Sequence, residues 1–356
     1  MPTLINNIGI GKGFKPFIIA EMSGNHNQSL EKALAIVREA ADAGAHAIKL
    51  QTYTADTITM NHRGGAFDIN DKNSLWSGRN LYELYQEAMT PYEWHKPIFE
   101  FARDLGIICF STPFDDTAVD LLEELKAPIH KIASFENAHL PLLRKVAATG
   151  KPVIMSTGVA EIAEIDESVR TLRASGCKEL FLLKCTSTYP ASPEKTNLRT
   201  IPHLAELFKC EVGLSDHTMG VGASVAAVAL GATVIEKHFC LSRAEGGVDS
   251  AFSLEPHEFK LLVQETERAY LALGEIQYGI QDVERKSLLY KRSIYVSKDI
   301  NKGERFTSEN IRIIRPGDGL APKFYDMVID KISPIDIPAG TPLDWNNVLL
   351  NKSENS

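Results

Sequence analysis

Cysteine is scarce in this chain and long apolar runs are missing altogether. The 356 residues include five cysteines, Cys109, Cys177, Cys185, Cys210 and Cys240, an odd and scattered set with no CxxC pair. Such a set argues against a disulfide framework or a thiolate zinc site and predicts reduced thiols packed as small hydrophobes. No apolar stretch reaches the roughly 20 residues that crossing a bilayer requires. The opening residues, MPTLINNIGIGKGFKPF, have neither the basic start nor the apolar middle of a secretory signal. A cytoplasmic protein with no membrane segment is expected. Positive charge is also in short supply, 38 Lys and Arg against 46 Asp and Glu for a net charge of -8, which leaves no basic face to neutralise a phosphate backbone. Nucleic acid is not an expected partner.

What the chain does have is a repeat of short β-rich apolar runs, each followed by a stretch of helical period. The runs are FIIAEMS near 17, AIKLQTY near 47, IICFSTP near 107, IHKIAS near 129, PVIMSTG near 152, LFLLKCT near 180, CEVGLSD near 210 and TVIEKHF near 233. Alternation of this kind predicts a parallel sheet covered by helices, and eight strands over roughly 250 residues is the size of a (β/α)8 TIM barrel. Between the first two runs, Leu30, Ala33, Leu34, Val37, Ala40 and Ala41 fall at helical spacing, with Ser29 placed to cap the start and Gly44 the end. A longer excursion from Thr54 to Pro91, carrying Trp76, Tyr82 and Tyr85, separates the second and third strands, where a barrel loop reaches over the mouth. It reads as a lid or a substrate wall. A helix around Phe259 to Leu273 closes the barrel, and the period then changes. The predicted organisation is a barrel over 1–275, a linker over 276–290 and a small β-rich module over 291–352.

Barrel enzymes build their sites at the C-terminal ends of the strands, so the polar residues closing each run are the informative ones. In order they are Glu21, Asn25 and His26; Lys49 and Gln51; Ser111 and Thr112; Lys131 and Ser134; Ser156 and Thr157; Thr186, Ser187 and Tyr189; Ser215, Asp216 and His217; Glu236, Lys237 and His238. Lys49 and Lys131 bring charge into half-buried places. A bound phosphate or carboxylate compensates them economically, and the alternative is an internal ion pair with Glu21 or Glu236. Hydroxyls of Ser134, Ser156 and Ser215 supply the further donors that phosphate oxygens need. His217 and His238 close adjacent strands beside carboxylates, an arrangement that suits a divalent cation with open positions for substrate and water, although the spacing matches no short zinc motif.

Taken together, the segments IIAEMSGNHN, AIKLQTY, FSTPFD, KIAS, MSTG, CTSTYP, GLSDHT and IEKHF, followed by GGVDSAFSLEP, resemble the sialic acid synthase family. Members condense phosphoenolpyruvate with an amino-sugar aldehyde to make nine-carbon sugar acids. The C-terminal module with its RPGDG turn is similar to the antifreeze-like (SAF, β-clip) domain that completes the family. The resemblance implies a divalent metal, Mn2+ or Mg2+, on His217 and His238, and phosphoenolpyruvate on Lys131, Ser134, Ser156 and Ser215 with Lys49 and Thr112 beside it. It places Glu21, Gln51, Tyr189, Glu236 and Asp249 toward the sugar, with Glu21 as the candidate for proton transfer and Glu236 or Asp249 for orienting the sugar. Arg315 matches an arginine that reaches the partner subunit's barrel, which implies a domain-swapped homodimer. Ser187 stands where sialic acid synthases usually have asparagine, and NHNQ replaces the commoner NHNG. The excursion NSLWSGRNLYELYQEAMTPYEWH looks more like the pseudaminic acid synthase branch, which takes a 2,4-diacetamido-2,4,6-trideoxy-altrose, than like the neuraminate or legionaminate synthases. A wall of Trp76 and tyrosines suits a sugar without a 6-hydroxyl, since a buried hydrogen-bonding group left unpaired weakens binding. Competing expectations are a heptulosonate-type synthase, a Schiff-base aldolase with Lys131 or Lys49 as nucleophile, and a carbohydrate- or ice-binding protein on an inert barrel.

Overall fold

A computed structural model describes residues 3–72 and 74–348, and the last residues of the expected C-terminal module, 349–352, lie outside the described ones. The chain divides into two compact units, one ending at Gly274 and the other beginning at Glu275.

The first unit opens with an antiparallel hairpin, β1 (Thr3–Ile5) and β2 (Ile8–Ile10), which the sequence patterning did not reveal. Eight parallel strands follow: β3 (Phe17–Glu21), β4 (Ala47–Thr52), β5 (Ile108–Pro113), β6 (His130–Ile132), β7 (Val153–Ser156), β8 (Leu180–Cys185), β9 (Glu211–Asp216) and β10 (Val234–His238). They close into a barrel in which β10 pairs with β3. These are the eight expected runs, and the TIM-barrel fold is as read from the sequence. Alternate strand residues turn to opposite faces. One set, including Phe17, Ile19, Phe110, Ile154, Phe181 and Val234, fills the barrel interior with the hairpin's Ile5 and Ile10. The other set, including Ile18, Ile48, Ile132, Leu182 and Ile235, packs against the surrounding helices.

The helix Leu30–Asp42 shows how the layer forms. Ser29 accepts from the Lys32 amide at its start, and Ala33, Ile36, Val37 and Ala40 are its buried stripe. Gly44, at φ +89°, ends it in the left-handed region open to glycine at little cost. The excursion from Thr54 to Pro91 holds, among its described residues, the helices Ala55–Ile58 and Leu81–Ala88 and a 3-10 turn at Gly65–Phe67, and a further helix, Tyr92–Asp104, leads into β5.

In the second unit a 3-10 segment, Asp282–Tyr290, precedes the antiparallel pair β11 (Ser293–Val296) and β12 (Ile311–Ile314). Isolated bridges at Tyr295–Pro342, Ile300–Ile337 and Arg305–Ile332 extend the pairing. Its own core contains Ile294, Val296, Ile300, Phe306, Ile311, Val328, Ile337 and Leu343.

Candidate active site at the barrel mouth

Strand alternation decides which of the expected residues meet. Glu21, Lys49 and Gln51, Thr112, Lys131, Ser156, Ser215 and Glu236 project from the C-terminal ends of seven strands toward one centre. Lys49 Nζ lies 2.7 Å from Glu21 Oε2 and 3.7 Å from Glu236 Oε1, and it donates to Thr112 Oγ1 at 3.1 Å. Gln51 Nε2 donates to Glu21 Oε1 at 3.0 Å. Lys131 Nζ donates to Ser156 Oγ at 2.7 Å and to the Ile132 carbonyl at 2.9 Å, and stands 4.0 Å from Glu236 Oε1. Ser215 Oγ donates to the same carboxyl oxygen at 3.2 Å. Internal ion pairs with Glu21 and Glu236, the alternative weighed above, are therefore present.

Four buried charges in one cluster do not share protons evenly. Burial raises Glu21 to about 7 against the pull of Lys49. Glu236 is buried as deeply, yet Lys131 and Lys49 on either side hold it below the usual carboxylate value. Burial also lowers Lys131, with Glu236 opposing. Environments that push two neighbouring carboxyls apart assign one to proton exchange and leave the other ionised.

On the β9–β10 side the rings of His217 and His238 lie 5.3 Å apart. His217 Nδ1 donates to the Thr186 carbonyl at 3.0 Å, which leaves Nε2 as the nitrogen available to a ligand; against burial, the Cys185 thiol beside it raises the ring's pKa. Burial and the adjacent His217 hold His238 far below its ordinary value, hence neutral. Its Nδ1 is buried without a hydrogen-bond partner, and Asp249 Oδ2 is 3.8 Å away. An orphaned imidazole nitrogen beside a second imidazole fits a divalent cation. Among the described residues no group of three or more His, Cys, Asp or Glu converges, so such an ion would draw its remaining ligands from water and substrate.

Tyr189 stands over this pair, 4.5 Å from the His217 ring and 5.0 Å from Phe252. Trp76 lies 5.9 Å from Tyr189, and its Nε1 donates to the Val248 carbonyl at 3.1 Å, so the excursion does reach the mouth. Ser134 and Ser187 meet at Gly158, where a Cβ would sit 2.7 Å and 2.2 Å from their hydroxyl oxygens. Glycine there is a requirement of close approach.

Other strand-end residues turn away from the mouth. Ser111 bonds Thr52 Oγ1 at 2.6 Å on the outer face. Asn25 donates to the Phe239 carbonyl and to Ser253, His26 packs against Trp94, Thr157 donates to the Leu183 carbonyl, and Asp216 pairs with Lys237 behind the site. Arg315 follows β12, exposed, in the second unit. Four site residues escaped the sequence reading. Ser23 donates to Asp249. Glu136 is raised to about 7 by burial, with an unpartnered Oε2. Cys185, expected as a core thiol, lies 3.9 Å from His217 Nδ1. Phe252 meets the His238 ring edge-on at 4.8 Å. Ser23 and Phe252 lie inside segments quoted for the resemblance, but nothing local distinguished them from packing residues.

A NeuB family model matches residues 36–278 and a SAF domain model matches residues 291–349. The pseudaminic acid synthase of Campylobacter jejuni is 47% identical over 329 residues, covering 92% of this chain and 95% of its own. The pseudaminic acid synthase of Helicobacter pylori is 42% identical, covering 94% and 98%. Among solved structures, the N-acetylneuraminic acid synthetase of Leptospira borgpetersenii, a citrate complex, superimposes with a TM-score of 0.71 at 34% identity, covering 82% of this chain and 96% of that one.

Proposed function

The chain belongs to the NeuB family, and from that premise we propose that it works as a pseudaminic acid synthase, joining phosphoenolpyruvate, 2,4-diacetamido-2,4,6-trideoxy-L-altrose and water into pseudaminic acid and phosphate. The observation that carries the reading is the 47% identity to the C. jejuni pseudaminic acid synthase over 92% of the chain. The mouth of the barrel holds groups suited to that chemistry.

In this reading Lys131, Ser134, Ser156 and Ser215 hold the phosphate and carboxylate of phosphoenolpyruvate, with Lys49 and Thr112 beside them and Ser187 at the edge. Substrate anions then share the lysines that Glu21 and Glu236 neutralise in the free protein, where Lys131 Nζ already points at Ser156 Oγ. Gln51, Tyr189, Glu236 and Asp249 face the sugar. His217 and His238 hold a divalent ion, Mn2+ or Mg2+, which when bound supplies Lewis-acid polarisation to the sugar aldehyde. C3 of phosphoenolpyruvate attacks the aldehyde carbon and forms the new carbon–carbon bond. Water then adds at C2, and phosphate leaves with its bridging oxygen by C–O cleavage. Glu21, raised to about 7, takes up the water proton near neutral pH. Glu236 stays ionised beside the cation developing at C2.

A domain-swapped homodimer completes the site in this reading, with Arg315 of each chain serving the other barrel. In its support, Phe135, Val159 and Met219, each just beyond the end of a barrel strand, are 64%, 68% and 47% exposed. Large apolar groups on a rim suit a covering surface. In this reading the reaction runs in the cytoplasm; no helix among the described residues is long and apolar enough to cross a membrane.

Phosphate release measured with phosphoenolpyruvate and Mn2+ tests the reading, comparing the trideoxy-altrose with N-acetylmannosamine in metal-stripped and restored protein. Metal-dependent release with the trideoxy sugar is expected. Faster release with N-acetylmannosamine would move the chain to the neuraminate branch. A borohydride-trapped adduct on Lys49 or Lys131 would favour the aldolase alternative.

A further inference from the structure

Behind the two histidines lies an ion pair that no step above uses. Asp216 and Lys237 are directly opposite each other at the last paired position of β9 and β10. Each sits in the chain between two residues of the mouth, Asp216 between Ser215 and His217, Lys237 between Glu236 and His238. Alternation turns both side chains out of the mouth and into the helix layer, where neither has any exposed surface. Lys237 Nζ donates to Asp216 Oδ2 at 2.8 Å and to the Thr218 carbonyl at 2.5 Å. Asp216 also accepts from the Thr218 amide at 2.9 Å, from Thr218 Oγ1 at 2.8 Å and from Ser224 Oγ at 2.7 Å.

His238 is the last residue of β10 and is paired with Glu21 of β3. His217 has no such support, because β9 ends at Asp216. Its backbone carbonyl accepts from the Ala191 amide and its Nδ1 meets the Thr186 carbonyl, both in the segment after β8. Toward β10, the hydrogen bonds that hold the chain on either side of His217 run through Lys237, which grips Asp216 before it and Thr218 after it. A buried ion pair is a poor device for stability, since its desolvation cost offsets most of its attraction. Its use here is geometric. We propose that Asp216 and Lys237 are positioning residues that set the separation of His217 and His238, and with it the affinity for the divalent cation. The proposal rests on the reading that these histidines hold the metal.

Single substitutions would strand a buried charge, so the variant to make is the double, Asp216→Asn with Lys237→Met, which removes both charges at nearly constant volume. Measured by titration calorimetry of Mn2+ into metal-free protein, its Kd is expected to rise about 10–100-fold, the usual consequence of disturbing residues that orient metal ligands. The melting temperature of the metal-free variant should stay near that of the wild type. In phosphate-release assays the KM for phosphoenolpyruvate should hold while the Mn2+ concentration giving half-maximal rate rises with the Kd. Wild-type Mn2+ affinity in a folded double variant would overturn the proposal and leave the metal reading intact. Failure of the wild-type protein to bind Mn2+ would overturn both. Should the double variant not fold, Ser224→Ala decides. It removes one of the four hydrogen bonds to Asp216 from a helix outside the mouth, and a Kd weakened by less than the double variant's is expected; an unchanged Kd would sink the proposal.

Discussion

At the scale of single residues, the mouth separates two glutamates of the same chemistry by their neighbours. Glu21 has one lysine within 4 Å and carries a pKa near 7. Glu236 sits between two lysines and remains an anion. The division implies different penalties for the same substitution. Glu21→Gln keeps the hydrogen-bonding shape and removes the exchangeable proton, so kcat is expected to fall about 10²–10⁴-fold, the range for losing a general acid–base, while the KM for phosphoenolpyruvate changes little. Steady-state phosphate release at saturating sugar measures both constants. Unchanged kcat would remove Glu21 from proton transfer, and a shift confined to KM would make it a binding group.

At the scale of elements, the far end of the β4–β5 excursion is fastened by two neutral histidines. His95 Nδ1 donates to the Pro91 carbonyl and its Nε2 accepts from Thr52 Oγ1 at 2.8 Å. His26 Nδ1 accepts from the Gln28 amide and Nε2 donates to Thr90 Oγ1. Each ring uses both nitrogens, and a second proton would face a donor or force it to turn. Burial lowers both from 6.5 to about 4. The unfolded chain thus binds protons that the folded one refuses, and stability is full above about 6.5 and drains as pH falls toward 4. Each histidine contributes up to about 3 kcal/mol to that loss. Urea midpoints from pH 7 to 4.5 should show the decline, and His95→Gln should flatten it; an equal decline in the variant would refute the assignment to His95. The barrel strands and the capped helix were legible because period-2 and period-3.6 patterns report directly which face is buried. Legibility ended where the third dimension decides. Ser111 and Thr112 are neighbours of similar chemistry, yet one faces helices and the other Lys49, and only the strand's phase separates them. Phe252 and Glu136 reach the mouth from single 3-10 turns, too short for any period to mark a face.

At the scale of the whole molecule, the proposed service of Arg315 to a partner's barrel makes a prediction about mixed dimers. Ile276, Tyr278 and Val283, near the start of the second unit, are 94%, 94% and 84% exposed. Apolar side chains of that size left in water favour a second surface to cover them. If Arg315 acts on the partner's barrel, a chain carrying Arg315→Ala and a chain carrying His217→Ala, each inactive as a homodimer, should complement one another when co-expressed or exchanged. The mixed dimer then contains one site with both defects and one with neither. With random pairing half the dimers are mixed, so about a quarter of all sites regain full function, measured as phosphate release against the wild type at equal protein concentration. Were each Arg315 to serve its own barrel, every site in every pairing would keep one defect, and the mixture would stay as inactive as its components.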